Sequence, residues 1–148
     1  MRSVKAAELF IKGYNCAQSV FMAYSDITGL SLDEAAKIAS GFGGGIGGIR
    51  EVCGAFSGMV LAYNYLYGYT DPQNAEEKNR VYSDIQNLEG SFKSKIGSII
   101  CKDILKSGIS IDDMNEQEQE YCKLRPCAKL VITAVKTLEI FIENNPSK

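Results

Sequence analysis

The residues best equipped for chemistry in this 148-residue chain are five cysteines, Cys16, Cys53, Cys101, Cys122 and Cys127. Histidine is absent, which removes the commonest general base and the commonest metal ligand together. The carboxylates offer no acid–base pair, since Glu76, Glu77, Glu116, Glu118 and Glu120 lie in polar stretches that read as solvated faces. Thiols therefore carry the argument. In a reducing compartment they serve as metal ligands or redox groups more readily than as structural disulfides, and an odd number leaves at least one unpaired.

The elements that must position these thiols are helices. Only three prolines interrupt the chain, strand signals are nearly missing and no internal repeat is present. The expectation is an all-α fold, a compact bundle of about six to seven helices with one glycine-rich loop, forming a single domain over residues 1–148. A first helix over Val4 to Lys12 is closed by Gly13. Asn15 caps a second, whose apolar face carries Cys16, Val20, Tyr24 and Ile27 before Gly29 closes it. Ser31 and Glu34 form a capping box for a third, with Leu32, Ala35, Ala36 and Ala39 inward, stopped by the stretch Gly41 to Gly48.

A fourth helix runs from near Glu51 to Tyr67 on the stripe Val52, Phe56, Met59, Tyr63 and Leu66. Asp71-Pro72 reads as the start of the longest helix, with Val81, Ile85, Leu88, Phe92 and Ile96 inward and Gly97 breaking it. Residues 98–106 form another helical piece holding Cys101, and residues 111–120 are polar enough to be a surface segment. Arg125-Pro126-Cys127 opens the last helix, on the stripe Cys127, Val131, Ala134 or Val135, Leu138 and Phe141. The tyrosines Tyr63, Tyr65, Tyr67 and Tyr69 fall on different helical faces and read as packing residues.

On this reading Cys16, Cys53, Cys101 and Cys127 each fall within about the first turn of a helix. Free N–H groups and the positive end of the helix dipole favour thiolate over thiol there, which prepares the sulfur to bind metal or attack a disulfide. The plainer alternative is that each is a small core residue on an apolar face. Cys122, five residues before Cys127, matches neither a zinc knuckle nor a C-x-x-C redox motif. It is a bystander or a resolving thiol for Cys127.

Gly43, Gly45 and Gly48 formally satisfy G-x-G-x-x-G, but the loop follows a helix and not a strand, so a dinucleotide site is rejected. No Gly-Lys-Ser or Gly-Lys-Thr follows, which rejects a phosphate loop of the Walker type. Gly43, Gly44, Gly45, Gly47 and Gly48 would instead cradle an anion, either thiolates, cluster sulfides or a small oxyanion, or simply make a tight turn. Arg50 adds positive charge to that loop or is merely solvated.

Lys and Arg total 16 against 18 Asp and Glu, with no basic cluster, so a nucleic-acid partner is not expected. In the opening stretch MRSVKAAELFIKG, charges at Lys5, Glu8 and Lys12 interrupt any apolar run. That argues against a secretory signal or a membrane span and leads to an expected cytoplasmic location. With 45% hydrophobic residues the chain is expected to build a core that does not depend on metal.

The hexapeptide Cys53-Gly54-Ala55-Phe56-Ser57-Gly58 follows the glycine stretch, and Gly13-Tyr14-Asn15-Cys16-Ala17-Gln18 lies upstream. Together they resemble the C_GCAxxG_C_C family of redox-active proteins. The resemblance covers nearly the whole chain, continuing through Ser98-Ile99-Ile100-Cys101 to a cysteine that opens the final helix. It implies that the four family cysteines are Cys16, Cys53, Cys101 and Cys127, with Cys122 an extra residue. Through similar domains of electron-transfer proteins it also implies iron–sulfur ligation.

Three functions follow as expectations. In the first, the four cysteines hold an iron–sulfur cluster of the 2Fe–2S type and exchange electrons with an oxidoreductase or another electron-transfer partner. In the second, a metal-free dithiol works by disulfide exchange, Cys53 attacking and Cys16 resolving. In the third, the cysteines hold a structural zinc or merely pack a helical interaction module. No motif specifies the partner or the oligomeric state.

Overall fold

The computed structural model describes residues 1–146, and among them the chain forms nine α-helices, one 3-10 turn and a single isolated antiparallel bridge, with no longer strand. The all-helical class is as expected, but the helices are more numerous than the six or seven read from the sequence. The first difference lies in the second helix, which splits into α2 (Cys16–Met22) and α3 (Ser25–Thr28). The Ser25 hydroxyl donates to the Met22 carbonyl at 2.8 Å, occupying the acceptor that the Asp26 N–H would use in a continuous helix. Tyr24 stays fully buried, its hydroxyl donating to the Val135 carbonyl, while Ile27 turns outward instead of completing the apolar stripe.

The second difference is α8 (Glu116–Leu124), which forms within the polar stretch. Asn115 and Glu118 cap it reciprocally, and the Glu118 carboxylate is buried in an ion pair with Lys136. Elsewhere the capping signals hold. Helix α1 (Arg2–Ile11) ends before Gly13, whose φ of 115° suits only glycine. Asn15 caps α2 with Gln18 reciprocating, and Ser31 caps α4 (Leu32–Ala39) with Glu34, although Leu32 is exposed and Ala35 and Ala39 make the inward face. A 3-10 turn (Ser40–Phe42) leads into the glycine loop.

Helix α5 (Gly54–Tyr67) begins later than Glu51, because Val52 is drawn into the bridge with Ile100. Asp71-Pro72 does not open α6 (Ala75–Ile96). Asp71 accepts from the Gln73 N–H within a turn, and Asn74 caps the helix three residues further on. Helix α7 (Cys101–Ser107) follows the bridge, and α9 (Ala128–Asn144) ends the described chain with Val131, Ala134, Val135 and Leu138 fully buried, as its stripe predicted.

Helix α2 is the hub, packed against α1, α4, α5 and α9. Its contact with α5 is unusually close. A Cβ on Gly58 would lie 2.7 Å from the Ala17 carbonyl oxygen and 3.0 Å from the Val20 Cβ. One turn earlier, a Cβ on Gly54 would lie 3.0 Å from the Phe42 carbonyl oxygen and 3.3 Å from the Cys16 Cβ. The two glycines of Cys53-Gly54-Ala55-Phe56-Ser57-Gly58 thus remove side chains where two helix backbones meet, which brings the start of α5 beside the start of α2. Among the described residues no helix is long and apolar enough to cross a membrane.

Candidate functional site

Each of four cysteines stands at a helix start: Cys16 and Cys101 are the first residues of α2 and α7, and Cys53 and Cys127 are the N-caps of α5 and α9. All four line one cavity of about 360 Å³, together with Gly44, Gly45, Arg50, Arg125 and a wall of Phe10, Ile104 and Leu130. Leu105 and Leu124, 47% and 69% exposed, form its rim. Cys122 is not among these residues. It is 2% exposed, on the buried face of α8.

Two local devices bring the thiols together. The Val52–Ile100 bridge stitches residues 50–53 to 99–102: the Cys53 N–H donates to the Ile99 carbonyl, the Cys101 N–H to Glu51 and the Lys102 N–H to Arg50. Cys53 and Cys101 thereby flank the bridge diagonally, one on each segment and at opposite ends of the Val52–Ile100 pair. On the opposite wall, the Arg125 guanidinium donates to the carbonyls of Phe10 and Tyr14 and lies 3.7 Å from the Phe10 ring centre. It ties the end of α1, and so the turn leading to Cys16, to the turn that carries Cys127. Sequence reasoning read Arg125 only as part of a helix start. Nothing local in the sequence marks such a clamp, because its partners are carbonyls more than a hundred residues away.

A side-chain hydrogen bond between Cys16 and Cys127 links the ionisation of the two thiols. This bond lowers the Cys127 pKa to about 7 with help from Arg125 and Arg50 against burial, and the same bond raises that of Cys16 well above the usual thiol range, with burial adding to it. Cys53 behaves differently from the helix-start argument. The N–H groups of Phe56 and Ala55 favour its thiolate, but burial outweighs them and pushes the thiol up to about 11. Cys53 is therefore held protonated, and of the two it is Cys127 that ionises near neutrality.

The difference gives a direct expectation for the reduced, metal-free protein. Cys127 ionises near neutrality while Cys53 stays protonated, so iodoacetamide labels Cys127 far ahead of Cys53, and its labelling rate climbs through neutrality. Peptide mapping of timed reactions between pH 5 and 9 checks this. Equal labelling of the two cysteines at pH 7 would contradict it.

The glycine loop does less cradling than its composition promises. The N–H groups of residues 46–51 are occupied by carbonyls of residues 41–46 within the loop itself, including those of Gly47 and Gly48, whose amides are thus unavailable to an anion. Gly43 lies against Asn15, where a Cβ would come within 2.4 Å of its side chain. Only Gly44 and Gly45 reach the cavity. The loop's positive charge comes instead from Arg50, whose Nη1 donates to the Cys101 Sγ at 3.7 Å.

Among the described residues, no three of His, Cys, Asp or Glu gather tightly enough to surround a single metal ion. The four thiols nevertheless form a set of soft donors around a shared space, with two guanidiniums in its wall. A helical frame thus turns cysteines from four helix starts into one cavity. The chain belongs to the family described as "Putative redox-active protein (C_GCAxxG_C_C)", whose model matches residues 14–140. It is also 41% identical over 59 residues to an "Uncharacterized protein" of Archaeoglobus fulgidus, a match covering 39% of each chain. No solved structure matches.

Proposed function

We propose that this protein carries electrons through an iron–sulfur cluster of the 2Fe–2S type held by Cys16, Cys53, Cys101 and Cys127. The observation that carries the reading is that four thiols from four helix starts line one cavity with Arg50 and Arg125 in its wall. Two thiols would suffice for disulfide chemistry. A single tetrahedral zinc, with Zn–S bonds of about 2.3 Å, needs its sulfurs gathered about one point, and no three of them are so gathered. A two-iron cluster divides its four ligands between two metals. When bound, it supplies one-electron chemistry.

The chain's own residues do the rest. Arg50 and Arg125 offset the negative charge of the thiolates, the Arg50 N–H bonds a sulfur directly, and Phe10, Ile104 and Leu130 keep that wall of the cavity apolar. Electrons would be exchanged with an oxidoreductase. The test is the iron and acid-labile sulfide content of protein purified without oxygen, with its visible spectrum. Iron and sulfide in equal, stoichiometric amounts support the reading; neither element after anaerobic reconstitution overturns it.

The Cys16–Cys127 contact favours a second reading, a dithiol that reduces disulfides of a partner protein. The Cys127 thiolate would attack one sulfur of that disulfide and release the other as a thiolate, which takes up the Cys16 proton. The Cys16 thiolate would then attack the Cys127 sulfur and release the second partner sulfur as a thiolate, which takes its proton from water, leaving a Cys16–Cys127 disulfide and a reduced partner. Metal-free protein that forms this disulfide reversibly would establish it in place of the cluster.

A further inference from the structure

We infer that Arg50 is the fixed counter-charge of the thiol site and sets its reduction potential, an inference that rests on the cluster reading. The four arginines of the chain have different partners. Arg2 pairs with Asp26 and Glu139, Arg80 with Glu77 and Asp84, and Arg125 donates to carbonyls. The Arg50 side chain has no carboxylate partner among the described residues, and its hydrogen bond goes to the Cys101 sulfur. The adjacent carboxylate, Glu51, is engaged by Lys102 at 3.7 Å. Arg50 therefore keeps its charge directed at the cavity.

Its backbone has been fixed for this at a cost. Arg50 sits at φ 69°, in the left-handed region where glycine is at ease and an arginine is strained. Two hydrogen bonds hold it there, its own N–H to the Gly44 carbonyl at 3.0 Å and the Lys102 N–H to its carbonyl at 3.2 Å. Gly45 supplies the space: a Cβ at that position would lie 2.6 Å from the Arg50 Cα. The loop is otherwise rich in glycine, with Gly44, Gly45, Gly47 and Gly48 all at positive φ. Ile46 in the same loop sits at φ 70°, and a glycine at position 50 would satisfy the backbone better.

A guanidinium donating to a cluster ligand stabilises the more negative, reduced state. Removing it lowers the potential. The experiment compares wild-type holoprotein with R50Q, R50G and R50K, reading iron content, midpoint potential in a dye-mediated titration, and the thermal midpoint. R50Q and R50G should shift the potential negative, R50K should stay near wild type, and R50G should melt no lower than wild type. The last point separates charge from structure, because a purely structural arginine would change melting and leave potential untouched. Where R50Q holds no iron, wild-type loading of R50K supports the same role and failure of both overturns it. A loaded wild type with unchanged potentials in R50Q and R50G overturns this inference alone. A wild type that binds no iron overturns the cluster reading and the inference with it.

Discussion

Gly58→Ala is expected to destabilise the protein by up to about 2 kcal/mol, and the same substitution at Gly90 to stabilise it by about 1 kcal/mol. Both glycines lie inside helices, α5 and α6, so alanine brings the same intrinsic helix preference to each, about 1 kcal/mol. At Gly90 nothing lies within 4 Å of the new methyl, and only that preference remains. At Gly58 the methyl meets the Ala17 carbonyl oxygen at 2.7 Å, a backbone atom of the hub helix that cannot swing aside. Forcing α5 away from α2 costs the overpacking range of about 1–3 kcal/mol, more than the preference offsets. Thermal or urea melts of the two variants check the opposite signs. A Gly58→Ala protein as stable as wild type would mean that the two helices do not approach this closely.

Helix identity was the most readable part of this chain. The capping box at Ser31, the cap at Asn15 and the stripe of α9 act through residues three or four apart, so sequence alone reveals them. What escaped depended on competition or on distance. Ser25 takes a carbonyl that a continuous helix needed, and Val52 leaves the expected helix for a bridge with a residue 48 positions away. For the site, the helix-start positions of Cys16, Cys53, Cys101 and Cys127 were legible. The polarity of the thiols was not. A helix start favours every one of these sulfurs alike, whereas burial at Cys53 and the hydrogen bond between Cys16 and Cys127 decide the outcome, and both arise only when α1, α2, α5 and α9 are assembled. The spacing of Gly54 and Gly58, four residues apart on one helix face, was a usable signal for a close helix contact that the sequence reading did not draw.

Cys127→Ser should lower the iron and sulfide content of anaerobically prepared protein by about tenfold or more while leaving the helical fold intact, and Cys122→Ser should do the reverse. The loss expected at Cys127 exceeds the roughly 10- to 100-fold effect of disturbing a ligand's supporting contacts only in being a ligand itself, so tenfold is a lower bound. Its exposure is intermediate and its main-chain position is an N-cap, so a serine there meets no large desolvation cost. Cys122, by contrast, is 2% exposed and packs in the core. A hydroxyl in its place would be buried in apolar surroundings, at a cost of about 1–3 kcal/mol where it finds no partner. Iron and sulfide assays with circular-dichroism melts on the two variants separate these outcomes. Should Cys122→Ser lose the metal and Cys127→Ser keep it, the cavity between the four helix starts would not be the working site, whatever its residues resemble.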